Sequence, residues 1–175
     1  MQARLIRIVE LINGFGLAGL REPHVKHLTG KLWGIRVSGR SGIGRVIYAT
    51  AAGQRVVLLR AFVKKTQRTP DREIEIALQI EKDQRLKDFE TYKRSALKKP
   101  GLRAENEKLA PEFAVARTLI AAGMAAKLTQ GEVAGRMGTS QSAVAPMESG
   151  RALPSTSSLV KYAVAVGRKL MIGLN

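Results

Sequence analysis

Cysteine is absent from this 175-residue chain. That excludes a disulfide scaffold, a thiolate metal site and a cysteine nucleophile, and it suits a reducing compartment. Histidine is nearly absent: His24 and His27 have no further ligands beside them, so they are read as loop residues rather than a metal pair, and no metal or cofactor is expected. No segment approaches the roughly 20 apolar residues of a membrane span, and no long apolar run opens the chain, so a cytoplasmic protein with no membrane partner is expected. Aromatic residues make up only 5%, and the one tryptophan, Trp33, fits a core better than a base-stacking platform. Acidic residues are scarce, 14 against 30 Lys+Arg, leaving a net charge of +16. An excess of this size suits a polyanionic partner, nucleic acid before an anionic membrane surface, with a merely soluble basic protein as the plain alternative.

What is present is enough for cores. Hydrophobic residues are 45% of the chain, and the length allows one ordinary domain or two small ones. Residues 3–12 place Leu5, Ile8, Val9 and Ile12 at helical spacing, with Gly14 as the stop. After a loop containing "REPHVKHLTGK" come three runs rich in Val, Ile and aromatics, Leu32–Ser38, Ile43–Thr50 and Arg55–Val63. Short Gly-containing turns join them, which predicts an antiparallel three-stranded meander. Thr69-Pro70-Asp71 then opens a helix expected to run to about Arg85. Residues 86–110 are mostly charged, with sparse anchors at Phe89, Tyr92, Leu97 and Leu102 and a break at Pro100-Gly101; two short helices lying on another surface are expected. A long helix over about 112–126 follows, then further short helices, and "RKLMIGL" ends the chain as a possible strand. The fold class is therefore α+β: an antiparallel meander with helices, then an all-α domain. The expected division is 1–85, a helical linking segment 86–110, and 111–175.

In the C-terminal part, Thr129 can cap the short helix "QGEVAGRM", Gly138 can end it, and Ser140 can cap the next. Helix, Gly-containing turn, helix is the spacing of a helix-turn-helix, whose second helix lies in the major groove. Gln141 and Ser142 stand where base contacts begin, and Gln can bond adenine in a bidentate manner. The long pattern "LTQGEVAGRMGTSQSAVAPMESGRALPSTSSLVKYAVAVG" resembles the Xre-type helix-turn-helix, more narrowly that of HigA-like antitoxins, and the resemblance covers about 88–175. It implies operator binding, with Thr129, Gln130, Ser140, Gln141, Ser142 and Arg151 as DNA-facing residues. Pro146 departs from the family, where a basic or polar residue stands. An interior proline costs about 3 kcal/mol, and Gly131 and Gly135 about 1 kcal/mol each. That total rivals the stability of a weak domain, about 5–15 kcal/mol, so neighbours must prop this module up or it is functionally decayed.

In the N-terminal part, "KLWGIRV", "GRVIY" and "FVKKTQRTP" carry a resemblance over about 1–85 to RelE/HigB-like toxins of the phage-derived Gp49-like branch, small ribonucleases that cut messenger RNA, usually on the ribosome. Cleavage of RNA by its own 2′-hydroxyl needs that hydroxyl activated, the phosphorane charge stabilised and the leaving oxygen protonated. Arg36 and Arg45 on adjacent strands, Tyr48 along the second, and Lys64 and Lys65 after the third could form a basic cleft with a phenol. The resemblance puts the catalytic side chains among these five: Arg36 and Arg45 for phosphate charge, Lys64 or Lys65 for charge or proton transfer, Tyr48 for orienting or stacking the substrate. The plain alternative for any one of them is a solvated strand face. Such toxins usually begin with a strand and helix ahead of the position where this chain starts. A bare sheet edge is therefore expected, and with the terminal strand it points to a possible homodimer.

Toxin-like then antitoxin-like is the order of HigBA-type modules, so the chain reads as a fused pair. Three readings stay open: a ribonuclease neutralised by its fused antitoxin, a non-enzymatic DNA-binding regulator whose toxin half is a structural or dimerisation piece, and an active ribonuclease positioned by its helical domain.

Overall fold

The computed structural model describes residues 1–19, 25–39, 42–50, 56–63, 69–82 and 89–173. It divides into two compact units, Met1–Leu109 and Ala110–Asn175. The first combines an antiparallel sheet with helices and the second is helical, as the sequence predicts.

Helix α1 (Gln2–Gly19) buries Leu5, Ile8, Val9 and Ile12, and also Ala3, Ile6 and Leu11. Gly14 does not end it; the break falls at Gly16, which takes a positive φ of 68°. Four strands follow, β1 (Val25–Thr29), β2 (Leu32–Gly39), β3 (Gly42–Thr50) and β4 (Val56–Val63), paired in that order and all antiparallel. The meander thus has one strand more than expected. Strand β1 is an edge strand where the sequence predicts a loop. Val25 is its single buried residue, so the period-two signal is too weak to see in the sequence; hydrogen bonding to β2 makes it a strand. It places His27 on the sheet, ring-to-ring with Trp33, while His24 lies outside the described residues.

Helix α2 (Asp71–Lys82) carries Asp71 and Glu73 in its first turn and Lys82 in its last, favourable at both ends of the helix dipole. Its Ala77, Ile74 and Leu78 pack on Leu32, Ile47 and Ala49, which share one sheet face. The other face, carrying Val37 and Val46, looks toward Met1 and toward Leu5 of α1 around an apolar cavity of about 200 Å³. Helices α3 (Phe89–Ala96) and α4 (Pro100–Lys108) complete the unit; Pro100 sits at the first turn of α4, where a missing N–H costs nothing. Phe89 is buried, and Tyr92, Leu97 and Leu102 are half-buried.

The second unit consists of α5 (Ala110–Ala125), α6 (Gln130–Arg136), α7 (Gln141–Glu148) and α8 (Thr156–Ala165) around Leu119, Val133, Ala134, Val144, Met147 and Tyr162. Its helices end alike. The amide after the cap bonds back three residues, and the next amide bonds back five: Gly138 to Gly135 at 3.1 Å with Thr139 to Ala134 at 2.9 Å, and Gly167 to Val164 at 3.0 Å with Arg168 to Ala163 at 2.8 Å. This closure needs a left-handed residue, and Gly138, Gly150 and Gly167 supply it. After α5 the same position is Lys127, at φ 57°. Lys127→Gly is expected to raise unit stability by about 1 kcal/mol, since a side chain there is strained by about 1–2 kcal/mol; chemical denaturation monitored by circular dichroism checks it. The expected terminal strand does not form. Residues 168–173 are not in a strand and Met171 and Ile172 are exposed, because no strand among the described residues of this unit offers them a ladder. Among the described residues no helix is long and apolar enough to cross a membrane.

Candidate nucleic-acid interface

In the first unit the strand register sets Arg36 directly opposite Arg45, and Arg45 opposite Phe62. Side chains alternate along a strand, so Arg45 shares its face with Ile47 and Ala49, the face that α2 covers. The two arginines lie in one cross-strand row on that face. Arg45 is 8% exposed and donates from Nη1 to the Thr69 hydroxyl, just before α2. Burial first, and the Arg36 charge second, push its guanidinium below the ordinary arginine value. Arg36 is half-buried, and its Nε is buried with no partner among the described residues. No described carboxylate pairs with either guanidinium; the nearby ion pair, Arg60 to Glu73 at 2.7 Å, uses other residues. Two cations held against each other without a counter-ion favour an anion between them, and a guanidinium fork matches a phosphate.

Tyr48 does not join them. Three residues on from Arg45, it points to the opposite face and is 0% exposed. Its hydroxyl is buried without a partner among the described residues, and burial pushes it well above the ordinary tyrosine range. Lys64 and Lys65 lie outside the described residues. Thr69 joins the pair although nothing local in the sequence signals that a strand arginine 24 positions earlier reaches it.

In the second unit Thr129 caps α6 as expected. Its hydroxyl accepts from the Glu132 amide at 3.3 Å, and the Glu132 carboxylate accepts from the Thr129 amide at 2.7 Å, closing a capping box. Ser140 occupies the N-cap position of α7, but its hydroxyl bonds Ser142 at 2.8 Å instead of a helix amide. Ser140, Gln141 and Ser142 are exposed at the start of α7, and Arg151 is exposed just after it. Gln130 is placed differently from these residues. It is buried, donating to Glu148 Oε2 at 2.6 Å, and its carbonyl oxygen accepts from Gln141 at 3.5 Å. Glu148 Oε1 in turn receives the Tyr162 hydroxyl at 2.6 Å, and that hydroxyl also lies 2.9 Å from the Leu119 carbonyl. Burial, then the Glu148 charge and hydrogen bond, hold the Tyr162 phenol far above its ordinary range.

This buried network ties α5, α6, α7 and α8 together, and it explains how α7 persists with a proline inside it. Helix α7 runs through Pro146 without a break. The proline leaves the Ser142 carbonyl without its helical donor, but Ser142 is exposed and water can reach it. The Pro146 carbonyl accepts from the Arg151 amide at 3.0 Å and the Ser149 hydroxyl at 3.2 Å, closing the helix end. A Cβ on Gly135 would meet nothing within 4 Å, so packing does not demand that glycine. The helix cost is offset by the network and the apolar core. Glu148 was visible in "ESGR" only as part of a pattern, and Tyr162 carried no signal at all.

Residues 110–175 hold seven Lys/Arg against three Asp/Glu. All seven cations are exposed, whereas Glu148 is buried and Glu132 is engaged at the α6 cap. The surface of this unit is therefore more basic than its composition.

Comparison with known proteins agrees with both halves. Residues 1–82 match the family described as phage-derived protein Gp49-like, and residues 124–171 match the helix-turn-helix family. No curated protein and no solved structure matches the chain significantly. The chain thus carries a Gp49-like, toxin-like domain followed by a DNA-binding helix-turn-helix domain, the make-up of a toxin–antitoxin-like regulator.

Proposed function

We propose that the Gp49-like half cleaves messenger RNA, that the helix-turn-helix half represses transcription from an operator, and that one chain therefore holds a toxin and its control. The observation that carries the reading is the Arg36–Arg45 pair: two arginines stand directly opposite each other on a covered sheet face, one with a buried Nε without a partner, and among the described residues no carboxylate pairs with either. Arg45 serves the fold through its hydrogen bond to Thr69, but two like charges side by side do not, and a scissile phosphate between them would relieve the repulsion. In this reading Arg36 and Arg45 bear the phosphorane charge, and Lys64 or Lys65 adds charge or moves the proton. Ser140, Gln141 and Ser142 contact base edges, Arg151 a phosphate, and the capped start of α6 at Thr129 stands by the backbone. A short tether would hold the halves at an effective concentration of roughly millimolar, so inhibition in cis would be close to permanent.

The test is direct. Residues 1–109, the compact unit, are expected to cut a labelled messenger RNA on added ribosomes, and Arg45→Ala to abolish the cut. Folded, soluble 1–109 that leaves RNA whole would sink the ribonuclease reading. The whole chain is expected to shift a palindromic operator from its own upstream region, with affinity falling steeply with salt. One observation favours a second reading, a non-enzymatic regulator with a degenerate toxin half. Tyr48, the phenol expected in the cleft, is withdrawn to the other face. Operator binding without RNA cleavage would select it.

Pro146→Arg is expected to strengthen operator binding by about tenfold and to steepen the salt dependence by about one contact, because it restores the amide for Ser142 and adds a cation on α7. Fluorescence anisotropy over a salt series measures both. Unchanged affinity would show that Pro146 is tolerated as it stands.

A further inference from the structure

Gln141 opens α7 with its side chain exposed, where the proposed function puts a base contact. An amide end by itself is ambiguous at a base edge. Turned one way, Gln offers an oxygen and an N–H; turned the other, it offers two N–H groups. Adenine shows the major groove an acceptor, N7, and a donor, the N6 amino group, whereas guanine shows two acceptors, N7 and O6. The orientation of one amide therefore decides between the two purines.

The buried network fixes that orientation. Gln141 and Glu148 begin and end α7 two turns apart on one face, and Gln130 of α6 lies against both. The series of contacts starts at Tyr162, which is 1% exposed. Its phenol is kept protonated by burial and by Glu148, and it donates to Glu148 Oε1 at 2.6 Å. A carboxylate only accepts, so Glu148 Oε2 must receive an N–H, and Gln130 Nε2 gives it one at 2.6 Å. That commits the Gln130 amide: its nitrogen faces Glu148 and its oxygen faces Gln141. Gln141 Nε2 lies 3.5 Å from that oxygen. The contact is long, but its sign is decided, because the Gln130 oxygen attracts the Gln141 nitrogen and repels the Gln141 oxygen. With one N–H turned inward, Gln141 presents outward its oxygen and its second N–H. That edge matches adenine and mismatches guanine. Holding four helices together requires no direction in this series; direction matters only where it ends, on an exposed side chain at the start of α7.

We propose that Glu148, acting through Gln130, makes Gln141 an adenine reader, and is thus a positioning residue for operator specificity that itself touches no DNA. The proposal rests on the operator reading of the helix-turn-helix half.

The full chain is first used to select duplexes from a pool randomised over about 20 base pairs, two helical turns. The position read by Gln141 is the one whose preference Gln141→Ala removes. Duplexes that differ only there, an A·T pair against a G·C pair, are then compared by fluorescence anisotropy. The parent chain is expected to favour adenine by about tenfold or more. Gln130→Met combined with Glu148→Met replaces both buried partners by apolar chains of similar length, which keeps the core filled and frees the Gln141 amide to turn. The preference is expected to fall to about twofold or less. Exchanging the two residues, Gln130→Glu with Glu148→Gln, puts the carboxylate against Gln141 directly and is expected to keep the preference within about threefold of the parent's. Circular dichroism identifies the folded variants, and Gln130→Met alone, expected to lose the preference as well, serves if the apolar pair does not fold. A folded apolar variant that still favours adenine by about tenfold would overturn the proposal, as would a folded exchange variant that has lost the preference, or a parent chain that favours guanine at that position. Selection of no sequence by the parent chain would sink the operator reading and this proposal together, whereas a selected adenine indifferent to Gln130 and Glu148 sinks the proposal alone.

Discussion

Arg36→Met is expected to stabilise the first unit while weakening its hold on RNA. Removing one of two facing cations relieves a like-charge pair, worth roughly 0.2–1 kcal/mol directly across a sheet. It also removes a buried unpartnered Nε, a group that costs about 1–3 kcal/mol when nothing satisfies it. Methionine keeps most of the apolar stem and its packing. A net gain of about 1–2 kcal/mol is therefore expected in denaturant unfolding of the full chain followed by Trp33 fluorescence. In the proposed function the same change would also remove a charge-assisted phosphate contact, so RNA affinity should fall about ten- to hundredfold. Opposite signs in the two measurements are the signature of a residue retained for binding. If Arg36→Met were to lower stability and leave RNA affinity alone, the arginine would be a structural group and the phosphate site would lie elsewhere.

The second large effect is expected in the other unit. Glu148→Ala removes the acceptor shared by Gln130 and Tyr162, leaves the buried Gln130 amide unpaired, and opens a cavity among four helices. A loss of about 3–5 kcal/mol is expected, as when one partner of a buried charged contact is deleted. That is a large part of the roughly 5–15 kcal/mol available to an ordinary domain, in a unit already weakened by Pro146, Gly131 and Gly135. Operator binding should be lost with the fold at 37 °C and return on cooling or on adding Lys127→Gly. Glu148→Gln should cost less, since an amide still accepts the Tyr162 hydrogen bond. Thermal unfolding of the three variants checks the order. Equal stability of Glu148→Ala and the parent would mean that the apolar core alone carries the module.

Legibility differed between the halves for a physical reason. The helix-turn-helix rests on local signals, a capping box at Thr129 and Glu132, a left-handed Gly138, and apolar residues at helical spacing, all written within a few positions of one another. The sheet's central strands were legible for the same reason, since both their faces are buried and they read as continuous Val- and Ile-rich runs. Edge strand β1 was not, because its structure comes from pairing with β2 rather than from its own side chains. The expected strand at residues 168–173 fails by the converse: its apolar residues are present, but the described residues of this unit hold no strand to pair with it. Gln130 and Tyr48 show the same limit at the sites. Residue type and position suggest a DNA contact at Gln130 and a cleft phenol at Tyr48; that Gln130 is buried against Glu148 and Tyr48 on the sheet face away from Arg45 is visible only in the fold.

From the sequence alone came the α+β then all-α order, the basic character of the chain and the placement of Ser140, Gln141 and Ser142 at the start of a helix. Each depends on composition or on spacing along the chain. Only the tertiary structure decided that Arg36 and Arg45 stand opposite each other with no carboxylate pairing them among the described residues, that Thr69 takes the Arg45 hydrogen bond, that Asn106 reaches back to Ala3, and that Glu148 joins four helices. Those contacts span from 9 residues (Arg36 to Arg45) to 103 (Asn106 to Ala3) along the chain. No local propensity encodes a partner at that distance; it is set by strand register and by the layers that packing brings together.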